Sequence, residues 1–237
     1  MAKSRSTSRR IIATLVLIWV AIATVVFAPT ASAAKDYGSL TATWWQWALA
    51  QPAIDVAATN TNTNPVLDTT GEYATAGQPA GIGPANKYFF LAGTFGQDVV
   101  RTVTVPPGKT LFFPIFNFEA DNAVDPITHF KVPELKALAK ANVDGAINLT
   151  ATFDGAPVAF FRSTSPVFDY TMPDENSIYE YFGFTGPQFT GRIKPAVADG
   201  YWAILPPPTP GEHVLRFTAA SSLIDFSLDV TYQLTTS

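Results

Sequence analysis

The chain has 237 residues, with 15 Lys plus Arg, 19 Asp plus Glu, two histidines and no cysteine. The absence of cysteine excludes a disulfide framework and a cysteine-based metal site, and a chain of this length buries a sizeable core without such staples. A formal net charge of −4 argues against nucleic acid and anionic membranes as partners, since both are recognised by clustered cations.

The N-terminus reads as an export signal. Lys3, Arg5, Arg9 and Arg10 form a basic region, the apolar run from Ile11 to Phe27 follows, and Ala31-Ser32-Ala33 is a small-residue cleavage site. This predicts a signal peptide over residues 1–33 and one domain over 34–237, secreted or held at the cell surface. An uncleaved anchor is the alternative, because the apolar run lies at the lower length limit for spanning a bilayer. Ser8-Arg9-Arg10-Ile11-Ile12 also resembles part of a twin-arginine signal, so the export route stays open. Cleavage leaves 11 basic against 19 acidic residues and no membrane contact is then expected.

A helix is predicted over Tyr37 to Gln51, with Ser39 as N-cap and Pro52 as its stop. Leu40, Trp44, Trp47 and Ala48 share one face, and Trp45 and Leu49 lie on a neighbouring stripe. Residues 53–86, rich in Thr, Asn, Gly and Pro, read as a long loop. Tyr88 to Ala92 begins the sheet. From Arg101 to Phe118 a strand, a Pro107-Gly108 turn and a second, strongly apolar strand follow. The second strand, with Phe112, Phe113, Ile115 and Phe116, has almost no polar face and is expected to be covered on both sides, with an edge or bulge at Pro114. A second helix is predicted over Pro133 to Asn142. Ile147 to Phe153 alternates cleanly into an Asp154-Gly155 hairpin turn, and strands follow at Val158 to Phe161 and Ser165 to Met172. After an irregular region over 172–198, three strands close the chain at Tyr201 to Leu205, His213 to Phe217 and Phe226 to Leu234. The fold class expected is mainly β: a two-layer β-sandwich, jelly-roll or immunoglobulin-like, with two short peripheral helices.

Four stretches carry a resemblance: WWQWALA at Trp44 to Ala50, NPVLDTTGE at Asn64 to Glu72, FLAGTFG with RTVTVPPGKTLFFPI between Phe90 and Ile115, and DGYWAILPPPTPGEHVLRF at Asp199 to Phe217. Together they resemble a family of secreted bacterial proteins of unassigned function. The resemblance implies a secreted single domain and brings no catalytic residues. It also implies that relatives carry cysteines where this chain has Ala74 and Val103.

The chemistry-bearing residues leave several readings open. No G-x-S-x-G elbow is present, and only His129 and His213 offer a histidine base. His213, in phase with Leu215 and Phe217, reads as a structural hydrogen bonder, so no catalytic residue is assigned. Glu119, Asp121, Asn122 and Asp125, with Asn117, supply hard oxygens of the kind calcium takes, without the spacing or glycine of an EF-hand; a plain solvated loop is the alternative. Glu119, Asp121, Asp174, Glu175 and Glu180 provide candidate carboxylate pairs for glycoside hydrolysis. Trp45, Trp47, Tyr88 and Trp202 are candidate stacking surfaces for a flat ligand such as a sugar, if exposed; packing of the helix onto a sheet is the competing role of its tryptophans. The expected function is non-catalytic extracellular binding or surface structure, with a carbohydrate or cell-surface ligand. The alternative is a carboxylate-dependent extracellular hydrolase.

Overall fold

A computed structural model describes residues 34–55, 61–79, 84–123 and 129–237; the expected signal peptide and Asp125 lie outside these residues. The described chain opens with helix α1 (Ala34–Ala50) and a ribbon of β1 (Ile54–Asp55) and β2 (Thr61–Asn62). The rest is mainly β, with two five-stranded sheets packed as a sandwich. The first sheet has the order β3 (Tyr88–Phe90), β5 (Thr110–Ala120), β10 (Gly191–Leu205), β8 (Phe160–Thr164), and β9 (Phe168–Met172) pairs with the first part of β10. The second has the order β4 (Asp98–Val105), β12 (Ser227–Thr236), β11 (Gly211–Ser221), β6 (Ala146–Phe153), β7 (Ala156–Pro157). The β3–β5 and β4–β12 pairs are parallel.

The apolar run of β5 has the double burial its composition predicts. Phe112 packs against Trp202 on the outer face of its sheet, while Phe113 stacks on Phe217 of the other sheet. Pro114 sits at a bulge: Tyr201 pairs with Phe116 but Trp202 with Pro114, so Ile115 is the extra residue. The turn before β5 places Gly108 at φ +76°, where a side chain is disfavoured. Asp154 and Gly155 both take positive φ, as a two-residue primed turn between β6 and β7 requires.

Helix α1 lies outside the sandwich, with its tryptophans in the packing role: Trp44 and Trp47 join Phe90, Phe112 and Trp202 in a buried cluster, so a helical layer covers the outer face of the first sheet. Two features differ from expectation. Strand β10 starts well before Tyr201. Ala196, Val197 and Ala198 are all fully buried, because that part of the strand lies between α1 on one side and α2 (Val132–Asp144) on the other, and small residues covered on both faces leave no alternating pattern. The 53–86 loop is pinned by side chains within its described part. Asn64 donates to the carbonyls of Ala48 and Gln51 at the end of α1, and Gln78 both donates to and accepts from the Phe90 backbone. Ala74 and Val103 are buried in the same cluster between the sheets.

His213 is structural: its ring meets the Asp154 carboxylate at 2.7 Å and the Thr209 carbonyl at 2.8 Å. Hydrogen bonding to Asp154 raises the His213 pKa above its ordinary 6.5, and the same contact, with the Val214 N–H, lowers that of Asp154. The His213 contribution to stability is therefore complete below pH 6.5 and is lost as pH rises through the raised value; that of Asp154 is lost as pH falls through its lowered value. The expected result is a small fall in wild-type stability on the alkaline side of pH 6.5, which His213→Gln removes. Urea unfolding at several pH values checks it; an unchanged fall in the variant contradicts it.

Candidate functional site

Strand β3 stops after pairing Phe90 with Phe112, and among the described residues no strand pairs with the outer edge of β5 beyond that point. A cavity of about 310 Å³ runs along this free edge. Trp44, Trp45 and Leu49 of α1 wall one side and Phe226 and Leu228 the other; Gly93 to Phe95 and the α3 helix (Ile178–Tyr181) with Phe182 close it. Its rim carries exposed apolar side chains: Phe95 and Phe182, in edge contact at 5.0 Å, and Ile224.

Beyond the bulge, Phe116 and Phe118 turn toward the second sheet and α2, so alternation aims Asn117 and Glu119 at the α1 side. Both line the cavity, and Asn117 Nδ2, Glu119 Oε1 and Trp45 Nε1 are buried with no hydrogen-bond partner among the described residues. Trp44 and Trp47, by contrast, donate to the carbonyls of Leu91 and Ala76. Buried polar groups are normally paired, because leaving one unpaired costs about 1 to 3 kcal/mol. The residues that carry these three atoms all line one apolar cavity, which marks the place where a ligand's polar atoms are to be met. Gly200 shapes the sheet beside them: a Cβ there would lie 2.7 Å from the Asn117 Cβ and 2.8 Å from Trp202 Nε1.

An acid cluster backs this end. Asp121 accepts hydrogen bonds from Tyr170 Oη, Tyr179 Oη and the Ala123 N–H. Burial, reinforced by the Asp121 charge, raises the Glu119 carboxyl well above the usual carboxylate range. Glu119 as a whole is partly exposed, but Oε1 itself is buried, and it is the carboxyl's surroundings that set the shift. Burial, with Glu119 as the next cause, also holds the Tyr170 and Tyr179 phenols above their ordinary range, so both remain hydrogen-bond donors to Asp121.

The stacking row considered from the sequence does not form. Trp47 and Trp202 are buried in the core, the latter stacked on Phe112 at 5.0 Å, because large rings under α1 are what seals its layer onto the sheet. Tyr88 is partly buried beside Lys87, away from the cavity lining. Trp45 is 9% exposed, a cavity wall rather than an exposed platform. Of the calcium set, Asp125 lies outside the described residues. Asp121 is occupied by phenols, Asn122 donates to the Phe130 carbonyl, and among the described residues no group of three or more His, Asp or Glu is placed to hold a metal ion. Of the candidate acids, Glu119 and Asp121 come together, Glu180 caps α3 through the Ser177 N–H, and Asp174 and Glu175 are exposed. Tyr170 was not singled out from the sequence, and Asn117 was considered only as a hard-oxygen ligand. The available signal was two polar residues, Asn117 and Glu119, in phase on the most apolar strand of the chain.

The fold and cavity define a β-sandwich with a helical outer layer and a ligand-sized apolar pocket tipped by unpaired polar groups. No family model matches the chain and no curated protein matches it. Among solved structures, the solution structure of amebosin is similar over 58% of this chain and 98% of that one, at 11% identity and a TM-score of 0.15, a likeness too low to bear on fold or function.

Proposed function

We propose that the chain is a secreted binding protein that takes a small, largely apolar ligand in the cavity between α1 and the free edge of β5. The observation that carries this reading is that three buried polar atoms without a partner among the described residues belong to side chains that line one apolar cavity. Secretion rests on the N-terminal signal; in addition, no helix among the described residues is long and apolar enough to cross a membrane. A flat sugar is a poorer fit than an apolar body, since the tryptophans that would stack on it are in the core.

N-phenyl-1-naphthylamine, uncharged and fluorescent in apolar surroundings, tests the reading. It is expected to bind the mature protein with one-to-one saturation. Phe182→Ala, at the half-exposed rim, is expected to weaken binding about fivefold through lost apolar contact, with the fold intact by circular dichroism. An absence of saturable binding, or equal binding by wild type and Phe182→Ala, contradicts it.

One observation favours a second reading as an extracellular hydrolase: Glu119, with its raised pKa, lies beside the Asp121 carboxylate, the pairing that general acid chemistry uses. Turnover of a naphthyl ester or an aryl glycoside, abolished by Glu119→Gln, would establish it in place of the first.

A further inference from the structure

The polar end of the cavity has a definite hydrogen-bonding character. The indole N–H of Trp45 can only donate, and the Asn117 Nδ2 group likewise presents donors. Glu119 Oε1 belongs to a buried carboxyl, and among the described residues Glu119 and Tyr179 are the titratable groups of the cavity lining. Among the described residues no basic side chain lines it to neutralise an anion. The one carboxylate nearby, Asp121, already accepts from Tyr170, Tyr179 and Ala123, which leaves it poorly placed to receive a cation.

We propose that this end recognises an uncharged hydrogen-bond acceptor, the carbonyl oxygen of a lipophilic ketone, ester or amide, held by donors from Trp45, Asn117 and Glu119. The inference rests on the binding reading above and adds the ligand's chemical class. A ligand carboxylate would be buried against two acids without a counter-cation. An ammonium group would face the indole and amide N–H groups, which repel it. A plain hydrocarbon would leave the three polar atoms unpaired. A carbonyl satisfies the donors without adding charge. The donor from Glu119 exists only while its carboxyl is protonated. The groups around that carboxyl are Asp121 beyond the end of β5, Tyr170 of β9 and Tyr179 of α3; burial and the Asp121 charge disfavour its ionisation, while the two phenols stay neutral. Carbonyl affinity is therefore expected to fall as pH rises through the Glu119 titration.

The test uses four ligands with one apolar body: 2-acetylnaphthalene, 2-ethylnaphthalene, 2-naphthoate and 2-naphthylmethylammonium, each measured by displacement of N-phenyl-1-naphthylamine from the mature protein. The ketone is expected to bind at least about tenfold more tightly than the other three. Trp45→Phe is expected to bring the ratio of ketone to hydrocarbon affinity down toward one, the hydrocarbon measured in the same variant serving as reference for the lost wall contact. Glu119→Gln, which keeps an N–H donor at all pH values, is expected to retain the preference and abolish its pH dependence. Equal binding of ketone and hydrocarbon, or preference for the carboxylate or the ammonium, overturns the inference but leaves a binding cavity standing. Failure of all four ligands and of the fluorescent probe overturns both.

Discussion

Arg101→Met is expected to lower the unfolding free energy by about 3 to 5 kcal/mol, read from the urea midpoint at unchanged slope. Arg101 is 1% exposed, in phase with Val99, Val103 and Val105 on the inner face of β4. Its Nε donates to the Asp68 carbonyl at 2.7 Å, Nη1 to the Ala92 carbonyl at 2.7 Å and to Tyr232 Oη at 2.6 Å, and Nη2 to the Gly93 carbonyl at 3.1 Å. The guanidinium also lies over the Tyr232 ring. Methionine fills much of the volume but donates nothing, so these buried acceptors lose their partner, at about 1 to 3 kcal/mol for each one left unpaired. Lysine is expected to recover little, because one ammonium cannot span the separate carbonyls that a planar fork reaches. The segments held by Arg101 include Val66 and Gly93, which line the cavity, so the variant is also expected to bind the naphthalene ligands less tightly. A loss below about 1 kcal/mol, the scale of a single hydrogen bond, would show that the guanidinium does not hold these loops.

Trp44→Ala is expected to cost about 3 to 5 kcal/mol, the range for emptying a buried aromatic site. The ring is 1% exposed and makes edge contacts with Trp45, Trp47 and Trp202 at 5.1, 5.8 and 5.5 Å. Its indole donates to the Leu91 carbonyl at 3.0 Å, fastening α1 to the segment after β3. Alanine removes the centre of this cluster, and the neighbouring rings, Trp45 and Trp47 held on α1 and Trp202 on β10, cannot collapse fully into the space. Trp44→Phe is expected to recover about half, since it restores a ring but not the hydrogen bond. Thermal and urea unfolding of the two variants check this; equal stability of Trp44→Ala and wild type would place α1 outside the cooperative core.

What could be read from the sequence follows from how local each signal is. The β5 run, the bulge at Pro114 and the Asp154-Gly155 turn depend on neighbouring residues alone, and each stands where its chemistry requires. That the α1 tryptophans pack onto a sheet was legible as one of their two roles; the layer that covers the helix was not. A helix with tryptophans on two stripes packs equally well at a surface or under a loop layer, and the layer that covers it comes from distant residues such as Asn64 and Gln78. Arg101 gave a readable sign, a charge in phase with valines, but its partners are scattered backbone carbonyls that no motif announces. For the site, Glu119 and Asp121 were visible as acids. Their meeting with Tyr170 and Tyr179, and the opening beside β5, depend on where β3 ends and how β9 and α3 return to the same face.

The most direct measurement is the indole region of the ¹H–¹⁵N spectrum of the mature protein during titration with 2-acetylnaphthalene. Trp45, assigned with Trp45→Phe, has an indole N–H without a partner among the described residues, whereas that of Trp47 is bonded to the Ala76 carbonyl and lies outside the cavity lining. The expected result is a saturable downfield shift of the Trp45 indole proton, as it gains an acceptor, with Trp47 unmoved. An unmoved Trp45 signal at a ligand concentration that displaces the fluorescent probe would place binding elsewhere and contradict the site.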